Sequence, residues 1–334
     1  MRPPVLLNLE QYLPMKRSAA LIAVLLFACG AGAQTYPAKP ITLIVPLAAG
    51  STADILSRTI GAELSKSLGQ QVVVDNRPGA GGTVAMQQVA RSAPDGHTIA
   101  VITNGTHAIN IGLYAKPGYD AVKDFTPITM IGEVSNIMIV HPSNSAKTMQ
   151  DVIAQAKAKP GTLTYASGGN GTSHHLSGVL FASMAGINTI HVPYKGAPQG
   201  ITAVMANEVA MGFFNTPTVM SQIREGRLQA LAATSKARTP FFPMLPTLDE
   251  AGLKGYEVTA WFGFAGPAKL PAAILDRLYS DMANIMKNAT VREKLVNGGF
   301  ELLPQITPAE LGKRIEADLA KWVPIIKASG ATVD

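Results

Sequence analysis

Short β-branched runs alternate with helical segments along most of this 334-residue chain. The runs at 41–45, 71–74 and 98–103 are too short for helices and predict buried strands. Helices are predicted between them, from Ser51 onward and over about 83–92. Strands and helices that alternate in this way form parallel sheets, so the first part of the chain is predicted to be an α/β unit.

The same alternation returns in the second half of the chain. Strands are predicted at 137–140, 163–166, 189–193, 209–214, 228–233 and 258–265, and helices at 149–158, from about 174, and at 201–206, 272–287 and 308–328. The last two helices have no sheet of their own, so we expect them to return to the first unit.

A chain of this length exceeds what one hydrophobic core usually serves. We therefore expect two α/β lobes, one of 36–136 plus 257–334 and the other of 137–256. Two chain crossings, near 130–140 and 255–265, would form a hinge. Ligands of parallel α/β sheets lie beyond the carboxyl ends of the strands, and a hinge brings two such edges face to face.

The N-terminal segment has the features of an export signal. A basic stretch from Met15 to Ser18 precedes the apolar run 19–28, and Ala31-Gly32-Ala33 is the small-residue pattern that signal peptidase cleaves. The run is too short to span a bilayer as a helix, although a buried N-terminal helix is an alternative. The sequence predicts translation from Met15, cleavage of 1–33 by a Sec-type pathway and a periplasmic location.

The chain has one cysteine, Cys29, inside this segment. The residues before it resemble a lipoprotein box, but the bulky Phe27 does not fit that motif, and cleavage after Ala33 is favoured. The mature chain would then contain no thiol for a disulfide, a metal site or a nucleophile.

Charge and composition limit the class of partner. The formal net charge is +6, only 15% of residues are charged, and the charges are dispersed. A mildly positive field suits an anionic ligand. The sequence has no basic cluster with interleaved aromatic residues, so nucleic acid is not expected as a partner.

Two loops combine glycine with hydroxyl side chains between a predicted strand and a predicted helix. The candidate ligand-binding residues in them are Leu47, Ala48, Ala49, Gly50, Ser51 and Thr52, and Ser167, Gly168, Asn170, Gly171 and Thr172. The free N–H groups and the positive dipole end of a helix start form an anion site. Each loop alone could be an ordinary turn, but a facing pair could hold both ends of a dicarboxylate.

No catalytic or metal-binding motif is present. Asp54, three residues after Ser51, is interpreted as a helix cap near the site rather than a general base. His174, His175 and His191 lack a carboxylate at ligand spacing, so we predict no metal and no cofactor. His175, near a helix start, is a candidate to bind the ligand or to orient its loop. The sequence therefore favours a binding protein over an enzyme.

Seven segments together resemble one known family. They are 36–41, 45–58 with Pro46, Gly50, Asp54 and Arg58, 74–82, 94–98, 167–175, 191–196 and 245–252. In this order they are similar to the Bug-type (TctC-like) periplasmic solute-binding receptors of tripartite tricarboxylate transporters. The resemblance covers the chain from Tyr36 to the C-terminus. Ser51 stands where the family frequently has a second glycine, and Ser57 where it usually has alanine. Whether Ser51 contacts the ligand as the family's residue does is therefore left open.

The resemblance implies a two-lobed Venus-flytrap fold of the type II-like periplasmic-binding-protein class with a two-crossing hinge. It also implies a monomeric receptor that passes a small organic acid, a mono- or dicarboxylate including amino and aromatic acids, to integral-membrane transporter subunits. Asn104, Tyr194 and Asn215 would add secondary contacts at strand ends. Two alternatives stay open: a secreted α/β enzyme acting on small organic acids, and a ligand sensor for a membrane kinase.

Overall fold

The computed structural model describes residues 36–328 and 331–333. The predicted export signal at 1–33, with Cys29, lies outside the described residues. The described residues from Lys39 onward form a single compact unit, to which the following description applies. None of the helices in the described part of the chain combines the length and the apolar character that crossing a membrane requires.

The strands within the described residues form one mixed sheet. They are β1 (Ile41–Val45), β2 (Val72–Asn76), β3 (Thr98–Thr103), β4 (Phe125–Val140), β5 (Leu163–Ser167), β6 (Thr189–Pro193), β7 (Met211–Asn215), β8 (Gln229–Ala233), β9 (Thr259–Pro267) and β10 (Glu301–Leu302). The strand order is β2-β1-β3-β9-β4-β7-β5-β6, and both β8 and β10 pair with β4.

Ten helices of the described residues accompany this sheet. They are α1 (Thr52–Leu68), α2 (Thr83–Ala90), α3 (Asn110–Leu113), α4 (Met149–Ala158), α5 (Ser173–Ala185), α6 (Ala197–Met205), α7 (Thr216–Arg224), α8 (Ala272–Lys287), α9 (Ala289–Asn297) and α10 (Pro308–Ala328). Single turns of other helix types lie at Ala80–Gly82 and Gly105–Ile109.

The sixteen-residue strand β4 joins two segments of the sheet. Up to Ser135 it pairs with β9, and from Asn136 it pairs with β7. We call β2-β1-β3-β9 with the first part of β4 the first sheet segment, and the remainder of β4 with β7-β5-β6 the second.

The expectation of a purely parallel sheet is only partly right. Pairs β1–β2, β1–β3, β5–β6 and β5–β7 are parallel, whereas β3–β9, β4–β9, β4–β7 and β4–β8 are antiparallel. Every one of these antiparallel pairs contains β4 or β9, the two strands at which the chain passes between the sheet segments. A strand that enters a segment from the other one needs no crossover helix, so it can run against its neighbours.

The C-terminal helices pack largely against the first sheet segment. Trp261 on β9 donates its indole N–H to Asp318 on α10 over 2.6 Å, and Arg314 pairs with the same carboxylate at 3.2 Å. Arg314 also pairs with Glu133 on β4 at 2.8 Å. The Trp261 side chain is fully buried and belongs to the core.

The far end of α10 reaches the second segment. Trp322 and Ile326 share a hydrophobic cluster with Leu176 and Phe181 of α5. Helix α10 therefore contacts both segments, in addition to the two strands that connect them.

Candidate ligand-binding cleft

The first predicted loop lies between β1 and α1. Ser51 caps α1, and its hydroxyl accepts the Asp54 N–H at 3.4 Å. Its own N–H donates to the Ala48 carbonyl, which closes a tight turn. Gly50 adopts φ = +76° in this turn, a conformation that favours glycine. The Ser51 hydroxyl is thus committed to the helix cap.

Asp54 holds this loop rather than completing a reciprocal capping box. Its carboxylate accepts the Gly50 N–H at 2.9 Å and pairs with Arg58 at 3.0 Å. Burial raises the pKa of this carboxyl, but the hydrogen bonds from Arg58, Gly50 and Asn76 outweigh burial and lower the pKa overall. Asp54 is therefore an ionised support of the loop.

The second predicted loop lies between β5 and α5. Thr172 caps α5: its hydroxyl accepts the His175 N–H at 3.3 Å and donates to the Gly169 carbonyl at 2.7 Å. Gly169 and Gly171 have φ values of +120° and +75°, so the loop turns through conformations that disfavour other residues. Ser167 closes the base of the loop, since its hydroxyl accepts the Gly169 N–H at 3.1 Å.

Three histidines support the same loop from beneath. The Gly168 N–H donates to His174 Nδ1 and the Gly171 N–H donates to His175 Nδ1, each over 3.3 Å. His175 stacks on His191 with ring centroids 4.2 Å apart, and His191 Nε2 lies 2.7 Å from the Ser167 hydroxyl.

These imidazoles are held in the neutral form. Burial lowers the pKa of both His174 and His175 to about 4, and burial with repulsion from His175 lowers that of His191 to about 3. A neutral Nδ1 can accept the loop N–H groups, which a protonated ring could not do. His175 is thus placed as an orienting residue of the loop.

A buried polar network joins the two loops. The Thr52 hydroxyl donates to Asn215 Oδ1 at 3.1 Å, and His174 Nε2 lies 3.1 Å from the same oxygen. The Asn215 amide donates to Asn136 Oδ1 at 2.5 Å, and the Asn136 amide donates to Ser177 at 2.9 Å. Asn136 is the residue of β4 at which its pairing changes from β9 to β7.

We call the space between the loops of the two sheet segments the cleft. Glycine permits the closest approaches across it. A Cβ on Gly81 would lie 2.4 Å from the Asn170 carbonyl oxygen, and one on Gly171 would lie 1.8 Å from Asn110 Oδ1. A Cβ on Gly196 would be 2.6 Å from that of Ala48. At Gly81 and Asn170 the loops of the two segments therefore meet backbone to backbone.

The cleft encloses a small inner cavity of about 20 Å³. It is lined by Leu47, Gly81, Thr103, Asn104, Gly105, Gly171, Thr172, Ser173, His174, Asn215, Ala260 and Phe262. A cavity needs roughly 10–15 Å³ of this space to hold a water molecule, so the inner cavity has room for a group of about that size. Ser173 and His174 are the first residues of α5, whose initial N–H groups have no acceptor within the helix.

A larger outer cavity of about 530 Å³ shares Leu47 and Gly81 with the inner one. It is lined by Pro46, Leu47, Ala48, 78–82, Tyr114, 168–170, 193–195 and Val333. Lys195 is the only charged residue in this lining, which belongs wholly to the described part of the chain. The volume lies in the range of about 300–1,000 Å³ typical of small-molecule sites.

The predicted residues fall into two groups by position. Those that line a cavity are Leu47, Ala48, Asn104, Gly168, Asn170, Gly171, Thr172, Tyr194 and Asn215. Those that line neither cavity are Ala49, Gly50, Ser51, Thr52, Ser167 and His175. Of the second group, Thr52 contacts the inner cavity lining, because its hydroxyl donates to Asn215.

Sequence reasoning missed the third loop of the cleft, 78–82. It follows β2, the parallel neighbour of β1, and so ends at the same edge of the sheet. Its sequence, Pro-Gly-Ala-Gly-Gly, was a signal that could have placed it beside the first loop. Asn110, whose amide donates to the Gly81 carbonyl at 2.9 Å, carried no comparable signal.

Within residues 36–328 and 331–333, no group of three or more metal-ligating side chains is present. Phe262 packs edge-on against Phe300 and also forms part of the inner cavity wall.

Two sheet segments with facing helix-start loops and a cavity between them define the class of two-lobed solute-binding proteins. The chain belongs to the tripartite tricarboxylate transporter receptor family, whose model matches residues 56–331. This agrees with the resemblance that the sequence motifs indicate. Members of the family are periplasmic solute-binding receptors.

Several relatives support this assignment over nearly the whole chain. The protein BugT of Bordetella pertussis is 32% identical over 95% of this chain and 98% of its own length. The solved structure of Rpa4515 of R. palustris with adipate has 34% identity and a TM-score of 0.85, and covers 89% of this chain and all of that one. MatC of Rhodopseudomonas palustris with bound malate has 29% identity and a TM-score of 0.84, and covers 87% of this chain and all of that one.

Proposed function

We propose that this protein captures a small carboxylate-bearing metabolite between its two helix-start loops and passes it to the membrane subunits of a tripartite tricarboxylate transporter. The observation that carries the proposal is the inner cavity, where the start of α5 meets hydroxyl and amide side chains from both sheet segments.

The chemistry of the inner cavity suits one carboxylate group. Its polar lining includes neutral donors, among them the amides of Asn104 and Asn215 and the hydroxyl of Ser173. The N-terminus of α5 adds oriented N–H groups and a positive dipole end, which together stabilise an anion without a cationic side chain. A carboxylate at this position would accept hydrogen bonds from both sides of the cleft.

The outer cavity would hold the rest of the ligand. Its walls include the apolar side chains of Pro46, Leu47 and Pro78, which suit a short carbon chain. Lys195 at its lining supplies a positive charge for a second acidic group. Adipate and malate, with which two relatives were solved, are both dicarboxylates.

The wider assignment follows from this binding role. We propose that the lobes comprise 36–136 plus 257–334 and 137–256, and that the protein works as an exported monomer. The change of β4 pairing between Ser135 and Asn136 supports the first boundary. The Val258 N–H bonds to Thr234 while Thr259 pairs with Ser135, which supports the second.

We further propose that the site binds its ligand without chemical turnover. A general acid or base works best with a pKa near the operating pH. The pKa of His174 and of His175 is only about 4, and the Asp54 carboxylate is occupied by Gly50 and Arg58. These groups support the loops rather than proton transfer.

A thermal-shift screen of the mature chain tests the binding proposal. Protein refolded from denaturant, and so freed of copurified ligand, is mixed with mono- and dicarboxylates that include adipate and malate. A ligand that binds only the folded state raises the melting temperature. The matched control is adipamide, which has the same carbon chain without charge and should give no shift. The absence of a shift with every acid in the panel would refute the proposal, and consumption of a bound acid would refute the receptor role.

A further inference from the structure

A further cavity lies beside the first sheet segment, between β4, α8, α9 and the chain around β10. Its volume is about 370 Å³, and it is lined by 129–131, Met282, Ala283, Met286, Lys287, Arg292 and 302–305. It shares no residue with either cavity of the cleft. The volume is within the range of small-molecule sites, at about 300–1,000 Å³.

The inner wall of this cavity is apolar and adaptable. Met130, Ile131 and Met282 are buried, and Leu302 and Leu303 line the same space. Three methionines, 130, 282 and 286, contribute to it. Methionine side chains are unbranched and polarisable, so they fit flexible apolar chains of varied shape.

The two charged residues of the lining are both cationic. Lys287 donates to the Asn284 side-chain oxygen at 3.3 Å, and Arg292 donates one guanidinium N–H to the Met286 carbonyl at 3.4 Å. Among the described residues, neither cation is within salt-bridge distance of a carboxylate. The ion pair on α8 is formed by other residues, Arg277 and Asp281. A guanidinium has five N–H donors, so the bond to Met286 leaves most of them available.

We propose that this cavity binds an amphipathic monocarboxylate, such as a medium-chain fatty acid. The apolar chain occupies the methionine-lined interior, and the carboxylate lies between Arg292 and Lys287. Burial of the alkyl chain in such a site favours binding, and a guanidinium recognises a carboxylate through paired hydrogen bonds. The site is separate from the cleft and independent of the ligand proposed there.

Methyl NMR of the mature protein with ¹³C-methyl methionine gives a site-resolved test with octanoate as the probe. The resonances are assigned by single Met→Leu substitutions. Octanoate should shift the methyls of Met130, Met282 and Met286 in a saturable way, and leave those of Met211 on β7 and Met220 on α7 in place. Octanol, which matches the chain without the charge, should bind about fivefold more weakly, the magnitude of one exposed ion pair.

Matched variants test the role of the cations. Arg292→Gln should weaken octanoate binding about fivefold, whereas Arg224→Gln, an exposed arginine on α7 that lines none of these cavities, should not change it. Ala283→Leu, which fills part of the cavity, should weaken octanoate and octanol alike.

Three outcomes would overturn the proposal: unmoved methyls at Met130, Met282 and Met286, equal affinity for octanol and octanoate, or loss of the shifts once adipate fills the cleft. The last would show that the signal comes from the cleft. Failure of adipate to bind would count against the cleft ligand only, because the octanoate titration does not depend on it.

Discussion

The Thr52 hydroxyl of the first loop donates a hydrogen bond to Asn215 Oδ1 at the end of β7, over 3.1 Å and in a buried environment. The same Asn215 oxygen contacts His174, and its amide reaches Asn136 on β4. One carboxamide thus connects the first loop, the second loop and the strand that joins the two sheet segments. We infer that this network forms when the cleft closes and so contributes to ligand affinity.

Thr52→Val should weaken ligand binding about tenfold, because valine keeps the shape of threonine but removes a buried hydrogen bond of the closed form. Isothermal titration with the tightest acid from the thermal-shift panel measures the change. Thr52→Ser is the matched control, since it keeps the hydroxyl and should bind within about twofold of the parent. Wild-type affinity in Thr52→Val would show that this bond does not contribute to closure.

Gly171→Ala should reduce affinity by about ten- to a hundredfold, the effect of inserting a methyl group into a filled interface. The added Cβ would lie 1.8 Å from Asn110 Oδ1. Since Gly171 has φ = +75°, alanine also introduces backbone strain of about 1 kcal/mol.

Gly161→Ala separates these two effects. Gly161 has a similar φ of +71°, but a Cβ added there would have no atom within 4 Å. Both variants should lose similar stability from strain, and only Gly171→Ala should lose affinity. Equal affinities in the two variants would mean that the loops do not need this close approach to bind ligand.

Acid should destabilise the fold through the histidines beneath the second loop. The pKa of His174 is lowered from 6.5 to about 4 by burial, so the unfolded chain binds a proton near pH 6.5 while the folded chain does not until about pH 4. Stability therefore rises with pH across this window and is lost as the pH falls. For His174 alone the loss between pH 7 and pH 5 is about 2 kcal/mol.

Urea denaturation at pH 7, 6 and 5 measures this effect. His174→Gln should make the unfolding free energy less dependent on pH. Its slope against pH should fall by the amount that corresponds to about one bound proton. Glutamine keeps an amide group that can bond Asn215, which limits the structural change at this position. An unchanged slope in His174→Gln would show that His174 does not titrate in the way its burial requires.

The sequence predicts a secondary-structure element well when the pattern that defines it lies within a short stretch of the chain. The strand at 41–45 and the helices at 149–158, 272–287 and 308–328 have the predicted bounds because their hydrophobic periodicity is uninterrupted. Strand β4 is predicted only at 137–140 but begins at Phe125. Its first part contains a proline and a glycine at bulges, which break the pattern that defines a strand in sequence.

The cleft shows the same limit. Both predicted loops lie at the cleft because a glycine-rich turn between a strand and a helix is visible in the sequence. Asn110 and Asn136 were missed because their importance arises from contacts with residues distant along the chain, Gly81 and Asn215. Helices α7 and α9 were missed since they are short and lie beside stronger signals.

Asp54→Asn should lower both stability and ligand affinity. The substitution removes the charge that pairs with Arg58 and weakens the acceptor for the Gly50 N–H, at a cost of about 1 kcal/mol. Since Gly50 lies in the loop that meets the second segment, the loop should also lose its fixed conformation. We expect a several-fold weaker affinity by isothermal titration.

Asp151→Asn is the matched control for this prediction. Asp151 occupies the same third position of α4, where it forms a capping box with Thr148 and accepts the Lys147 N–H at 2.9 Å. It lines neither cavity of the cleft. Its replacement should cost a comparable amount of stability by urea denaturation and leave ligand affinity unchanged. If the two variants bind ligand equally well, the Asp54 carboxylate stabilises helix α1 but does not shape the binding loop.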